Sequence, residues 1–358
     1  MSCSRRRFLQ VTGTGLAVAG RFLETPPLRA LVPPVGASPS TDRPRVALIH
    51  GDHRRKNITA ALEGIDDQIR PKLKGKKYVI IKPNNVSTTN QLASTHVDAL
   101  RGILDYLAPR FRGPVVIAES SAEETRDGFE NFHYPALIPE YRAQQVKLID
   151  LNQEARYETI QLIDYDLHPI PTRLAARLLD PDAFIISAAI LKTHDTVVAT
   201  MAVKNMVLGA PLHHAPGESD EWDDKRNFHT GLRETHLNMF LTAQKLQPHW
   251  GVAVIDGFEG MEGAGPTRGT LVPSRIALAS TDFIAADRVG LETMGIKAEW
   301  LGYLQYCAQA GLGQYDLAKI DVQGAAIADV RRKYHLHGDL KRQLEWMGPL
   351  TQLPPRVG

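Results

Sequence analysis

Apolar and polar positions alternate along this chain in a repeated unit, a short apolar run that ends in a compact polar cluster. Tyr78 to Ile81 runs into Lys82-Pro-Asn-Asn85, and Val115 to Ala118 into Glu119-Ser-Ser121. Ala183 to Leu191 runs into Lys192-Thr-His-Asp195, and Gly251 to Ile255 into the glycine-rich stretch Asp256–Pro266. Ile276 to Ala279 runs into Ser280-Thr-Asp282. Unbroken apolar runs of this length suit strands covered on both faces of a parallel sheet. Between them lie stretches with helical spacing. Ile58, Leu62, Ile65 and Ile69 share one face, and residues 97–107, 231–246 and 282–294 read as further helices. Arg45–His50 reads as a first strand and 146–151 as another, Thr95 as the cap of the helix after it, and 210–231 as a long loop. Strands alternating with helices predict an α/β fold, a mostly parallel sheet flanked by helices, in one domain or two lobes. In such sheets ligands bind beyond the carboxyl ends of the strands, where the polar clusters fall.

The N-terminal segment breaks this pattern. Ser4-Arg-Arg-Arg-Phe-Leu-Gln10 resembles the twin-arginine export signal, with Gln10 where that pattern has Lys, and a weakly apolar stretch, Val11 to Ala19, follows. Val35-Gly-Ala37 is a small-residue cleavage site in this reading, and the alternative is a basic tail. The expected organisation is a signal and Pro-rich leader over 1–37, an α/β domain over 38–330 and a charged, Pro-ending tail over 331–358. The expected location is the periplasm or another exported compartment, with the twin-arginine translocase as a transient partner. No apolar run is long enough for a stable transmembrane span.

The leader changes the charge reading. The chain holds 42 Lys and Arg against 40 Asp and Glu. Five Arg and one Glu lie in residues 1–37, so the remainder carries 37 basic and 39 acidic side chains. That balance leaves no global basic footprint for nucleic acid. Of the two cysteines, Cys3 lies in the leader and Cys307 in a predicted helix. A cysteine-ligated iron–sulfur cluster, which typically takes four thiolates, cannot be built, and Cys307 reads as a buried small residue.

The polar clusters supply the candidate chemistry. Lys192, His194, Lys204 and Asn205 form the densest one. Two ammonium groups and an imidazole suit a carboxylate or phosphate, and a desolvated lysine suits a Schiff base. The bland alternative is a lysine paired with a carboxylate at a strand end. Lys192, His194 and Lys204 are the catalytic candidates, with His194 as acid/base. Lys82 and Asn84 end another strand and would converge on the same face. Within Asp256–Pro266, Asp256, Gly257, Gly260, Glu262, Gly263 and Gly265 are ligand-binding candidates. The glycines either cradle an anion on backbone N–H groups or only shape a turn. Asp256 and Glu262 either bind metal or pair with the lysines. His194, His213, His214, His229, His236 and Asp256 are the metal candidates for an ion such as Zn²⁺, Fe²⁺ or Ni²⁺, although no close-spaced ligand motif occurs. Ser120 and Ser121 are either ligand hydroxyls or a helix cap. No G-x-S-x-G elbow or nucleotide-binding glycine fingerprint is present.

Taken together, Lys82-Pro-Asn84, Lys192-Thr-His194, Lys204-Asn205, Asp256–Pro266, Asp282 with Asp287, and Gly311-Leu-Gly313 resemble the motifs of the domain-of-unknown-function family numbered 362. The resemblance spans about 45–325, with Phe283 where the family usually has Pro. Some relatives carry a ferredoxin-like segment with cysteine-bound clusters, a role this chain's cysteines do not support. The resemblance implies a shared fold and site but names no activity. The expectation is an exported enzyme acting on a small anionic molecule in a strand-end cleft, assisted or not by a metal or redox cofactor. The alternative is a periplasmic binding or cofactor-delivery protein without turnover.

Overall fold

A computed structural model describes residues 43–154, 156–213 and 223–349. Twelve strands lie in these residues: β1 (Arg45–His50), β2 (Tyr78–Lys82), β3 (Val115–Glu119), β4 (Lys147–Asp150), β5 (Tyr157–Ile163), β6 (Pro169–Ala175), β7 (Ala183–His194), β8 (Val198–Thr200), β9 (Trp250–Glu262), β10 (Thr270–Val272), β11 (Ile276–Ser280) and β12 (Asp321–Gly324). Ten of them form one mixed sheet, with a path β12-β1-β11-β9-β7-β2-β3-β4; β8 adds to β7 and β10 to β9. β5 and β6 make a separate hairpin.

The strands from β9 through β7, β2 and β3 to β4 are all parallel, as the apolar runs predicted. The fifth run departs from the expectation. β11 is antiparallel to both β9 and β1, so Ser280-Thr-Asp282 leaves the opposite edge of the sheet from Lys82, Glu119 and Lys192. A run of five buried residues looks the same in either direction, because periodicity carries no sign of strand polarity.

Alternation within the strands explains the layers. On β2, Val79 and Ile81 face one apolar cluster and Ile80 the other, all fully buried. One face is covered by helices α1 (Arg54–Glu63), α2 (Asp66–Leu73) and α3 (Val97–Leu107), which place Ile58, Leu62, Ile69, Leu100 and Leu104 against it. Short helices α4 (Thr125–Asn131) and α5 (Leu137–Glu140) follow β3. The other face is covered by α6 (Ala202–Gly209), α7 (Leu232–Leu246), α8 (Phe283–Met294) and α9 (Gly302–Gln309), through Met206, Met239, Leu291 and Leu304. The described residues fall in one unit, and one continuous sheet organises them. Cys307 is buried there, as expected of a small apolar residue.

Several local expectations change. The helix after Thr95 is present, but His96 caps it, accepting the Asp98 N–H at 3.1 Å. The Thr95 hydroxyl instead donates to Ala188 O at 2.7 Å and accepts the Asn84 N–H at 2.8 Å, tying the β2 end to β7. Neither Ser120 nor Ser121 caps α4; Glu124 does. Asp282 does cap α8, accepting the Ala285 N–H at 2.9 Å. The strand expected to stop before Lys192 runs on through His194, and the one expected to stop before Asp256 runs on through Glu262. The segment taken as a tail from 331 packs onto the sheet. Tyr334 and Trp346 are buried, and Gln343 accepts the Val198 N–H at 2.9 Å. Single anchors of this kind leave no periodic trace in sequence. The twin-arginine motif, the cleavage site and His214 lie outside the described residues.

Candidate functional site

The carboxyl ends of β2, β3 and β7 meet the start of α6 around a cavity of about 310 Å³. Lys82 ends β2 and is 1% exposed. Its ammonium donates to Glu119 Oε1 at 2.7 Å, Asn205 Oδ1 at 3.0 Å and Pro83 O at 2.9 Å, so all three protons have acceptors. Glu119, which ends β3, also accepts the backbone N–H groups of Asn85 and Ser120. Asn205 in turn donates to Lys82 O and Ser187 Oγ. This closed network locks β2, β3, β7 and α6 together. It needs a glycine beside it: a Cβ on Gly209 would sit 2.0 Å from Lys82 Cε. The carboxylate pairing weighed from sequence for the Lys192 cluster is found instead at Lys82.

Lys192 and Lys204 differ from Lys82. Lys192 is 1% exposed, and its ammonium donates to Ala93 O at 2.8 Å with no carboxylate in contact. Burial, reinforced by the like charge of Lys204, pulls its pKa well below the lysine range. Lys204 lies in the first turn of α6, where burial lowers its pKa to about 8 and Asp195 alone opposes the shift. The α6 N-terminus is held from outside, since Asp287 on α8 accepts the N–H groups of Ala202 at 2.8 Å and Val203 at 3.1 Å. Asp287, like Asp282 a residue of the resemblance, therefore positions Lys204 and Asn205 from behind.

His194 Nδ1 lies 3.0 Å from both the Thr196 N–H and Asp195 Oδ1. One ring nitrogen cannot accept from the first and donate to the second. Burial, with Lys204 nearby, pulls the imidazole pKa down to about 3, so the ring is neutral, Nδ1 accepts from Thr196 and the proton resides on Nε2. His194 is thus a hydrogen-bond donor at neutral pH, and acid/base work by it requires an added negative charge to raise its pKa.

A fourth lysine was not foreseen. Lys225 lines the same cavity and donates to Ser120 Oγ at 2.8 Å, Leu208 O at 2.9 Å and Pro211 O at 2.7 Å. Burial lowers its pKa to about 7 while the three acceptors hold its proton. It comes from the irregular 210–231 stretch, where no spacing marks it. Glu119 belonged to a noted cluster, but its pairing across strands is invisible in sequence. Asp195 and His229 also line the cavity, with Asn84, Ser121 and Pro266.

The Asp256–Pro266 candidates go elsewhere. Asp256 lies inside β9 on the α1 side, 2.9 Å from Arg54 Nε, in a separate cleft with Glu259 and His96. The Glu262 carboxylate accepts the His335 N–H at 2.8 Å and fastens the C-terminal segment. Gly257 and Gly260 are also within β9, and a Cβ on Gly260 would meet Tyr334 Oη at 2.0 Å. Gly263 has φ of 76° in the turn after the strand, and a Cβ on Gly265 would lie 2.2 Å from Thr193 O. Close packing and a turn account for these glycines, and Pro266 is the residue of this segment that reaches the lysine cavity.

Of the metal candidates among the described residues, His194 and His229 line the lysine cavity, and the others lie elsewhere. His213 lies 3.0 Å from Asp223 beside a different cleft, and His236 packs between the rings of Tyr303 and Trp346. Among the described residues no group of three His, Cys, Asp or Glu side chains is placed to hold a metal ion. No described helix is long and apolar enough to cross a membrane.

The sequence model of a family described as a domain of unknown function, DUF362, matches residues 79–292. No curated protein matches the chain. Among solved structures, a structural genomics crystal structure of a Thermotoga maritima protein is similar at 12% identity and a TM-score of 0.41, over 73% of this chain. The chain spans 59% of that protein's length.

Proposed function

The chain belongs to the DUF362 family, a domain of unknown function, and from the geometry of its cleft we propose that it is an enzyme acting on a small anionic substrate. One observation carries this reading. Four buried lysines line one cavity, and among the described residues only Lys82 has a carboxylate in contact. Burial without a carboxylate lowers the pKa of Lys192 and Lys204, and an anion bound between them would restore their charge. Lys192 and Lys204 hold the anion in this proposal, and His194 Nε2–H adds a neutral donor. Lys204, with a pKa of about 8, exchanges a proton near neutral pH and is the best placed acid/base; His194 joins it once the anion's charge raises its pKa. The same lowered pKa suits Lys204 to attack a carbonyl carbon. The Arg5-Arg6 pair and the stretch after it support export through the twin-arginine pathway before the protein acts in the periplasm.

The second reading, capture of the anion without turnover, draws on the hydrogen bond that holds His194 Nδ1 and on the saturated Lys225. A panel of small carboxylates and phosphates scored by thermal stabilisation, followed by mass-spectrometric assay of the stabilising ones, tests both. The enzyme reading expects a stabilising anion that is converted, with His194→Ala still binding and turnover reduced. A stabilising anion recovered unchanged supports capture. Absence of stabilisation by any anion contradicts both.

A further inference from the structure

Among the described residues, the charges that line the lysine cavity do not cancel once its lysines are protonated. With all four ammonium groups protonated, the state that a bound anion favours, Lys82, Lys192, Lys204 and Lys225 supply four positive charges against two negative ones from Glu119 and Asp195. His194 is neutral with Nδ1 accepting from Thr196. Asp223, which acts electrostatically on Lys225, is engaged by His213 at 3.0 Å and Arg226 at 3.8 Å. We infer that the occupant of the cavity is a small oxyanion carrying two negative charges, a phosphomonoester or a dicarboxylate, rather than a monoanion. This rests on the anion-cleft reading above and adds its charge.

Other polar groups at the cavity fit several ligand oxygens. Ser121 is 2% exposed, and its hydroxyl has no hydrogen-bond partner among the described residues. Asn85 is 1% exposed and its Nδ2 also has no partner among them, while its Oδ1 lies 3.0 Å from the Tyr134 hydroxyl, whose proton goes to Thr95 O at 2.6 Å. Both residues line the cavity. A buried donor without an acceptor is destabilising, and oxygens of a bound anion would relieve it. When protonated, Lys192 and Lys204 keep N–H groups for a ligand, since among the described residues Lys192 has one protein acceptor and Lys204 touches no carboxylate. The cavity, about 310 Å³, is at the lower end of ligand-pocket sizes, which restricts the occupant to a small metabolite.

The test compares pairs of nearly equal shape that differ by one charge. Isothermal titration of the full chain at pH 7.5 would use succinate against its monoamide, and methyl phosphate against dimethyl phosphate. The expected result is a preference of roughly tenfold or more for the dianion in at least one pair. The pair that shows it separates the dicarboxylate from the phosphomonoester source. Lys204→Met removes one charge without breaking a hydrogen bond, and the variant's melting temperature checks that it folds. In it the dianion preference should collapse toward unity. Equal or tighter binding of the monoanions in both pairs overturns the charge assignment while leaving the anion cleft standing. A preference undiminished in Lys204→Met overturns it too, because the discriminating charge would then lie elsewhere. Failure of all four compounds to bind removes the cleft reading together with this one.

Discussion

Two polar clusters flank the central pair of strands, β7 and β9, and they treat charge in opposite ways. On the α1 side, Arg54 meets Asp256 at 2.9 Å and Glu259 at 2.7 Å, and its guanidinium lies 5.0 Å from the centre of the Phe258 ring. Each charge there has a partner from the protein. Beyond the ends of β2, β3 and β7, Lys82 is paired with Glu119, but Lys192 and Lys204 touch no carboxylate. Both clusters carry motifs of the family resemblance. The difference is one of electrostatic completeness, which separates a motif satisfied within the fold from one proposed to meet a ligand. A cluster satisfied by its own chain holds strands together. A cluster whose buried lysines lack carboxylates is the one proposed to bind a ligand.

The sharpest way to break this comparison is to remove the carboxylate that pairs with Lys82. Glu119→Gln leaves Lys82, 1% exposed, without its counter-charge. The expected loss is about 3–5 kcal/mol of stability, read by urea denaturation. A loss under about 1 kcal/mol would mean the network is not a structural lock. Gly209→Ala comes next, because its Cβ would sit 2.0 Å from Lys82 Cε and force that side chain away from Glu119. About 1–3 kcal/mol should be lost, with anion binding weakened in parallel.

Asp256→Asn sharpens the contrast from the other side. It weakens the Arg54 ion pair but leaves Arg54 its Glu259 contact. Stability should fall by about 1–3 kcal/mol, with anion binding unchanged in calorimetry. Loss of anion binding in this variant would join the two clusters that the account separates.

The smallest expected effect on stability is the most diagnostic for charge. In the fold Lys204 has a pKa of about 8 against its usual 10.5. Between those values the unfolded chain binds a proton that the folded chain does not, so stability rises with pH across that window. Lys192 and Lys225 are shifted the same way and add to the rise. Lys204→Met removes one share of it. The unfolding free energy of the variant should climb less steeply between pH 8 and 10.5 than that of the parent, and the variant should be at least as stable at pH 7. An unchanged slope would show that Lys204 is not desolvated.

Much of the fold was legible because burial on both faces leaves unbroken apolar runs, and the parallel strands β2, β3, β7 and β9 all declare themselves that way. The direction of β11 was not legible, since Ile276–Ser280 reads alike in either sense. The hairpin β5–β6 was missed because Tyr157–Ile163 is largely exposed and has no apolar run. Of the site, Lys82, Asn84, Lys192, His194, Lys204 and Asn205 were correctly expected to come together, because each sits at a strand end or just after one. Lys225 was hidden in an irregular stretch. Asp256 misled because a strand was expected to stop where β9 in fact continues for seven residues past Ile255. Glycine explains that error: Gly257 and Gly260 look like a loop in sequence but are close-packing positions within a strand.

The central claim is that uncompensated lysine charge in this one cavity binds an anion. Crystals soaked in selenate test it most directly, because selenium can be located by its anomalous scattering. The account predicts a selenate within hydrogen-bonding reach of the Lys192 and Lys204 ammonium groups. A fully soaked crystal with selenate at Arg54 or on the surface, and none at these lysines, would contradict it.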